Sequence, residues 1–174
     1  MNLSISLYDT EHAGLAWGFH VSPSSCDNPG HYEQYIRLMA ATDKREGMGV
    51  THVLIDHEEN RLAGFVSLRL SSLFYIGEDG SRIGNPALEI AELAVDKDYE
   101  GRKCGTLLVD LAMYLGDTIR NQIAGVKYLL ACADPAAVGF YEKNGFSNAN
   151  DLYEAPRDGS NNNCVPMYLK LPTE

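Results

Sequence analysis

The chain has 174 residues, 45% of them hydrophobic and 22% charged, and a formal net charge of -10. This size and balance fit one domain with a sizeable core and exclude a disordered polypeptide. The acidic excess argues against general nucleic-acid binding and against anionic membranes, both of which need Lys and Arg, and it favours cationic partners such as amines.

The N-terminus MNLSISLYDTEH lacks a basic region followed by an apolar one, and no apolar run is long enough to span a bilayer. The expected compartment is the cytoplasm. Cys26, Cys104, Cys132 and Cys164 are dispersed, form no CxxC pair and have no His at ligand spacing. They read as reduced thiols, with no metal site.

In chain order, Ser4 to Tyr8 suits a first strand, and Trp17 to Gly30 is rich in loop residues. His31 to Glu46 repeats Tyr35, Leu38, Met39 and Thr42 at helical spacing and ends at Gly47 and Gly49. Thr51 to Asp56 and Leu62 to Leu70 read as a hairpin around His57-Glu58-Glu59-Asn60. Ser71 to Pro86, with three glycines, reads as a long connection. Its Tyr75, Glu78 and Asp79 are either acceptor-pocket residues or ordinary solvated ones. Ala87 to Val95 is a strand.

Leu107, Leu108, Leu111, Leu115, Ile119 and Ile123 then mark one face of a helix stopped by Gly125. Val126 to Ala133 suits a strand buried on both sides. Asp134 and Pro135 supply the cap and first residue of a short helix that carries Phe140 and Tyr141 and ends at Asn144-Gly145. Phe146 resumes an extended segment, Pro156 to Asn163 is a polar loop, and Val165 to Leu171 is a last strand. No repeat or linker interrupts the chain, so one mixed α/β domain over residues 1–174 is expected, with helices on both faces of its sheet.

The organising stretch is Leu88 to Leu108, LEIAELAVDKDYEGRKCGTLL. A strand enters a turn holding Gly101, Arg102, Lys103 and Gly105, and a helix begins there. The unpaired N–H groups and the dipole of a helix start favour an anion such as a diphosphate.

Two segments together resemble the GNAT N-acetyltransferase superfamily. ELAVDKDYEGRKCGTLLVDLA, Glu92 to Ala112, is similar to the loop that binds the diphosphate of acetyl-CoA, usually Q/R-x-x-G-x-G/A. ADPAAVGFYEKNGF, Ala133 to Phe146, is similar to the family segment N/D-x-x-A-x-x-FY-x-x-x-GF. Glu100 stands at the Q/R position, and Lys103 replaces the first patterned glycine. Lys103 adds bulk at the cradle and a charge able to meet a phosphate oxygen.

The resemblance implies a GNAT-like, mostly antiparallel sheet and acetyl transfer from acetyl-CoA to a small-molecule or protein amine, by direct attack in a ternary complex. It implies that Leu93, Ala94 and Val95 hold the pantetheine arm, with the N–H of Leu93 or Val95 polarising the thioester. Glu100, Gly101, Arg102, Lys103, Cys104, Gly105 and Thr106 then cradle the diphosphate, and Asp134, Phe140, Tyr141 and Lys143 complete the cofactor contacts. Tyr141 is the general acid, against a packing role, and Glu89 the base.

Glu92 competes with Glu89 from the opposite strand face, and ordered water competes with both. Asp134 serves as helix cap, as cofactor contact, or as both. Cys104 and Cys132 read as packing residues rather than nucleophiles. The remaining architecture is similar to the toxin-type branch that acetylates aminoacyl-tRNA, for which a local basic patch would be needed. A non-enzymatic acyl-CoA-binding module is the third reading. Homodimers are common in the family.

Overall fold

The computed structural model describes residues 1–149 and 163–172. The expected polar loop at Pro156 to Asn163 lies almost wholly outside them. Among the described residues seven strands form a sheet in the order β1-β2-β3-β4-β5-β7-β6. They are β1 (Leu3–Leu7), β2 (Val50–Asp56), β3 (Arg61–Ile76), β4 (Arg82–Val95), β5 (Tyr128–Ala133), β6 (Ser147–Asn148) and β7 (Val165–Lys170). β4 runs parallel to β5, while β1/β2, β2/β3, β5/β7 and β6/β7 are antiparallel. The α-helices among the described residues are α1 (Ala13–Ala16), α2 (Pro29–Gln34), α3 (Ala40–Glu46), α4 (Cys104–Gln122) and α5 (Val138–Lys143).

The chain divides into two compact units, one of Met1–Arg69 with Ala91–Leu111 and one of Leu70–Ile90 with Ala112–Glu174. The first unit has a core of Phe19, Tyr35, Ile36, Val53, Phe65 and Ala94. Phe65 meets Phe19 edge-on at 5.4 Å between ring centroids and stacks on Tyr35 at 5.9 Å. The helix expected over His31 to Glu46 is present as α2 and α3 joined by a π-type turn, Tyr35–Met39. Asn28 caps it, and Gly47 ends it with φ +71°.

In this unit the β2/β3 register slips between Leu54 and Ile55, so that Leu54 faces Gly64 and Ile55 faces Leu62. Ala63, left over between them, turns its carbonyl to the N–H of Asp96 at 3.0 Å. A Cβ on Gly64 would stand 2.9 Å from the Ala94 carbonyl and 3.0 Å from Leu108 Cδ1. Only glycine allows that approach.

The second unit holds the main departures from expectation. Ser71 to Pro86 is no long connection: β3 continues to Ile76 and β4 starts at Arg82. The tight turn between them is closed by Gly77 N–H to Ser81 O (2.8 Å), with Gly80 at φ +78°. Leu73, Phe74, Tyr75 and Ile76 have the β propensity that the glycines masked. The carboxylate of Asp79 is exposed and accepts the Ser81 N–H (2.9 Å), which helps close the turn.

The apolar face of α4 has the expected period and a rotated phase. Cys104, Leu108, Val109, Ala112 and Gly116 are buried, whereas Leu107 is exposed and Ile123 lies beyond the helix end, 75% exposed. Small residues set this phase by letting the helix backbone approach, and a Cβ on Gly116 would meet Leu171 at 3.1 Å.

The four cysteines are not all thiols. Cys132 on β5 and Cys164, one residue before β7, form a disulfide beside the Cys132–Pro166 pair of the β5/β7 ladder. Separation of 32 positions in sequence hid a pairing that strand register creates. Cys26 and Cys104 stand outside any disulfide and are buried, as the packing role expected for Cys104 requires.

Candidate functional site

β4 leads into the glycine turn through a buried carboxylate. Asp96 is fully buried and caps the turn Lys97–Tyr99. It accepts the Asp98 N–H at 3.0 Å, the His20 N–H at 2.9 Å and an Arg61 guanidinium N–H at 3.1 Å. Arg61 also donates to Asp98 at 2.8 Å.

The Tyr99 phenol donates to Asp56 at 3.1 Å, and Arg61 and Arg102 lie over its ring at 5.7 and 5.5 Å. Burial and the Asp56 carboxylate push the Tyr99 hydroxyl up to about 12. Burial alone would raise the Asp56 carboxyl, but donors from Glu58, Asn2 and Tyr99 outweigh it and leave it below the ordinary carboxylate value. The root of the loop is therefore a network of satisfied polar groups.

Above this root the backbone turns twice through left-handed conformation, at Gly101 (φ +71°) and Lys103 (φ +64°). This accounts for the sequence pattern. The position where Lys103 replaces a glycine is one that asks for φ > 0, at a cost for a residue with a Cβ. Its side chain is exposed. Cys104 then opens α4, whose first N–H groups have no acceptor one turn earlier. Burial pushes the Cys104 thiol up, as suits an inert packing residue. Glu100 is held by the Ser25 hydroxyl. Leu93 and Val95 are half-buried and Ala94 buried, all on the last stretch of β4.

The other site residues named from sequence fall in the second unit. Glu89 is buried on β4, opposite Leu130 in the parallel ladder. That ladder covers Ala87–Ile90 of a strand that runs on to Val95. Asp134 is buried and caps the following turn, accepting the Ala136 N–H at 3.0 Å. Tyr141 is buried between Phe140 and Phe146, each at 5.2 Å between centroids, and Lys143 is exposed.

Glu92, the rival base, is in the first unit and pairs with His31 Nε2 at 2.9 Å. Sequence reasoning missed Asp56, Asp96 and Arg61, because their contacts join positions far apart in the chain. The signal available was a strand-end Asp two residues before another Asp, a pattern that favours capping.

The family model of the acetyltransferase (GNAT) domain matches residues 48–148. No curated protein matches the chain. Among solved structures, a tyrosine-to-phenylalanine mutant of KacT is similar over 98% of this chain and 96% of its own, at 16% identity and TM-score 0.76. A tyrosine-to-phenylalanine mutant of the AtaT toxin is similar over 97% of this chain and 89% of its own, at 15% identity and TM-score 0.74. AtaT complexed with acetyl-methionyl-tRNAfMet is similar over 97% and 95%, at 16% identity and TM-score 0.72. At these identities the likeness is one of fold. Among the described residues, no helix is long and apolar enough to cross a membrane.

Proposed function

Since this chain belongs to the GNAT acetyltransferase family, we propose that it transfers the acetyl group of acetyl-CoA to the α-amine of an aminoacyl-tRNA. It is an acetyl-CoA-dependent acetyltransferase, and the acceptor is the part that is proposed. The observation that carries the acceptor is the likeness to AtaT in complex with acetyl-methionyl-tRNAfMet, which extends over 97% of this chain. The chemistry agrees. An α-amine has a pKa near about 8, against about 10.4 for a lysine, so far more of it is neutral and able to attack near pH 7.

The cradle suits the donor. Its two left-handed residues and the open N–H groups of α4 fit a diphosphate, and the side chains of Arg102 and Lys103 are exposed beside it. We assign the diphosphate to the amides of Gly101 to Thr106, and the pantetheine arm to Leu93, Ala94 and Val95 of β4. Bound acetyl-CoA supplies an activated acyl group on a leaving thiolate.

The chain's own residues then do three things. An N–H of Leu93 or Val95 stabilises the oxyanion. Glu89, directly or through water, removes the proton of the attacking amine. Tyr141 donates a proton to the departing thiolate, whose basicity is comparable to that of a phenol. Asp134, Phe140 and Lys143 are assigned to cofactor contacts, and one catalytic domain over residues 1–174 is part of the proposal.

A second acceptor, a cationic small-molecule or protein amine, is favoured by the net charge of -10. Acetyl-CoA turnover on charged tRNA, polyamines, aminoglycosides and peptides separates the two. Acetylated charged tRNA is expected. Turnover only on free amines would replace that acceptor, and no turnover on any acceptor would leave a binding module.

A further inference from the structure

The chain contains one tryptophan, and it stands at the surface: Trp17, at the end of α1, is 64% exposed. An indole left in water forgoes one of the largest apolar gains available to a side chain. This ring is nevertheless backed. The Arg37 guanidinium lies over it, 5.6 Å from the ring centroid. Arg37 is itself fixed, donating to Ala16 O at 3.2 Å and Phe19 O at 2.8 Å and pairing with Glu33 at 3.2 Å. Glu33 also accepts the Val21 N–H at 3.2 Å. A planar cation clamped by three partners holds an indole that is still open to solvent, and that is the construction of a stacking surface.

We propose that Trp17 is the platform on which an unpaired nucleobase at the acceptor end of the RNA substrate stacks. The proposal rests on the aminoacyl-tRNA reading and deepens it. Splayed RNA bases are bound by stacking on aromatic rings and guanidinium planes. The segment that carries Trp17 is also joined to the glycine turn. His20 O accepts the Lys97 N–H at 2.8 Å, the His20 N–H reaches Asp96 at 2.9 Å, and Ser25 holds Glu100. That turn also exposes Lys97, a charge suited to a phosphate that flanks such a base. Coenzyme A offers the same pairing of base and phosphate, so its adenine is the rival source.

Because Trp17 is the sole tryptophan, its emission reports on the platform directly. The full chain is titrated with a short single-stranded RNA ending in the cytidine-cytidine-adenosine of tRNA, and separately with coenzyme A. Emission is expected to be quenched by the RNA and unchanged by the coenzyme. Trp17→Leu is expected to weaken RNA binding, followed by anisotropy of a labelled RNA, by about 5- to 150-fold, the span of one base–aromatic stack. Trp17→Phe should restore most of that loss, and the KM for acetyl-CoA should not move in either variant.

RNA binding undiminished in Trp17→Leu, or quenching by coenzyme A alone, would overturn the platform. If wild type acetylates charged tRNA while Trp17→Leu does so with an unchanged KM, the platform fails and the acceptor reading stands. If wild type leaves charged tRNA untouched, the acceptor reading itself fails.

Discussion

The hydroxyl of Tyr99 donates to the carboxylate of Asp56 across 3.1 Å, joining the root of the glycine turn to the end of β2. Tyr99→Phe takes one donor from a buried carboxylate and is expected to cost about 1–3 kcal/mol, measured by urea unfolding at pH 7. The signs of the pH dependence follow. Asp56 titrates below its ordinary value in the fold, so its contribution is present above the ordinary carboxylate range and lost as pH falls through the folded value. Tyr99, raised from 10.0 to about 12, contributes below pH 10 and loses that contribution as pH rises toward about 12. The melting temperature of wild type should fall between pH 10 and 12, and the Phe variant should lose less over that window.

Lys103 holds a left-handed backbone, at φ +64°, where the family pattern has glycine. Lys103→Gly is expected to raise stability by up to about 1 kcal/mol. Lys103→Val should lower it, since a β-branched side chain is worse still at positive φ. Thermal unfolding without ligand reads both.

Gly64→Ala places a Cβ 2.9 Å from the Ala94 carbonyl, on the stretch of β4 assigned to the pantetheine arm. Backbone cannot step aside cheaply, so a loss of about 1–3 kcal/mol is expected. A rise in the KM for acetyl-CoA should accompany it, and unchanged stability would show that β4 yields at this point.

Tyr141→Phe removes only the hydroxyl from a ring packed between Phe140 and Phe146. As the proposed general acid, its loss should lower kcat by about 10²–10⁴-fold with little change in the KM for acetyl-CoA. Intact kcat would leave Tyr141 a packing residue. Glu89→Gln should lower kcat, and turnover unchanged across pH in that variant would discard Glu89 as base.

The disulfide of Cys132 and Cys164 closes a separation of 32 positions. Replacing both with Ser should cost about 3–4 kcal/mol by loop-closure entropy, and mass measurement after alkylation without reductant should find only two thiols modified.

Local chemistry was legible in the chain. Asp134 as cap, Gly47 and Gly145 as helix stops, and the hairpin at His57 to Asn60 are each decided by a few neighbouring residues, and each is found. The glycine turn before α4 was legible by family pattern, and its backbone supplied the reason for that pattern at Lys103. What was not legible depends on distant partners. The phase of α4 is set by Leu171 and Leu129 against Gly116, the disulfide by β5/β7 register, and the burial of Asp56 and Asp96 by residues 35 to 43 positions away. The β3–β4 hairpin was misread for a local reason, since glycines at 77, 80 and 84 outweighed the strand-forming residues around them.

The central claim is that amides of the turn from Gly101 to Thr106 hold the diphosphate of the acetyl donor. Isothermal titration of the full chain with coenzyme A and with pantetheine, which lacks the diphosphate, tests it most directly. Micromolar binding of coenzyme A with pantetheine at least about 100-fold weaker is expected, given several charge-assisted bonds lost together. Equal affinity for the two, or no heat with coenzyme A, would contradict it.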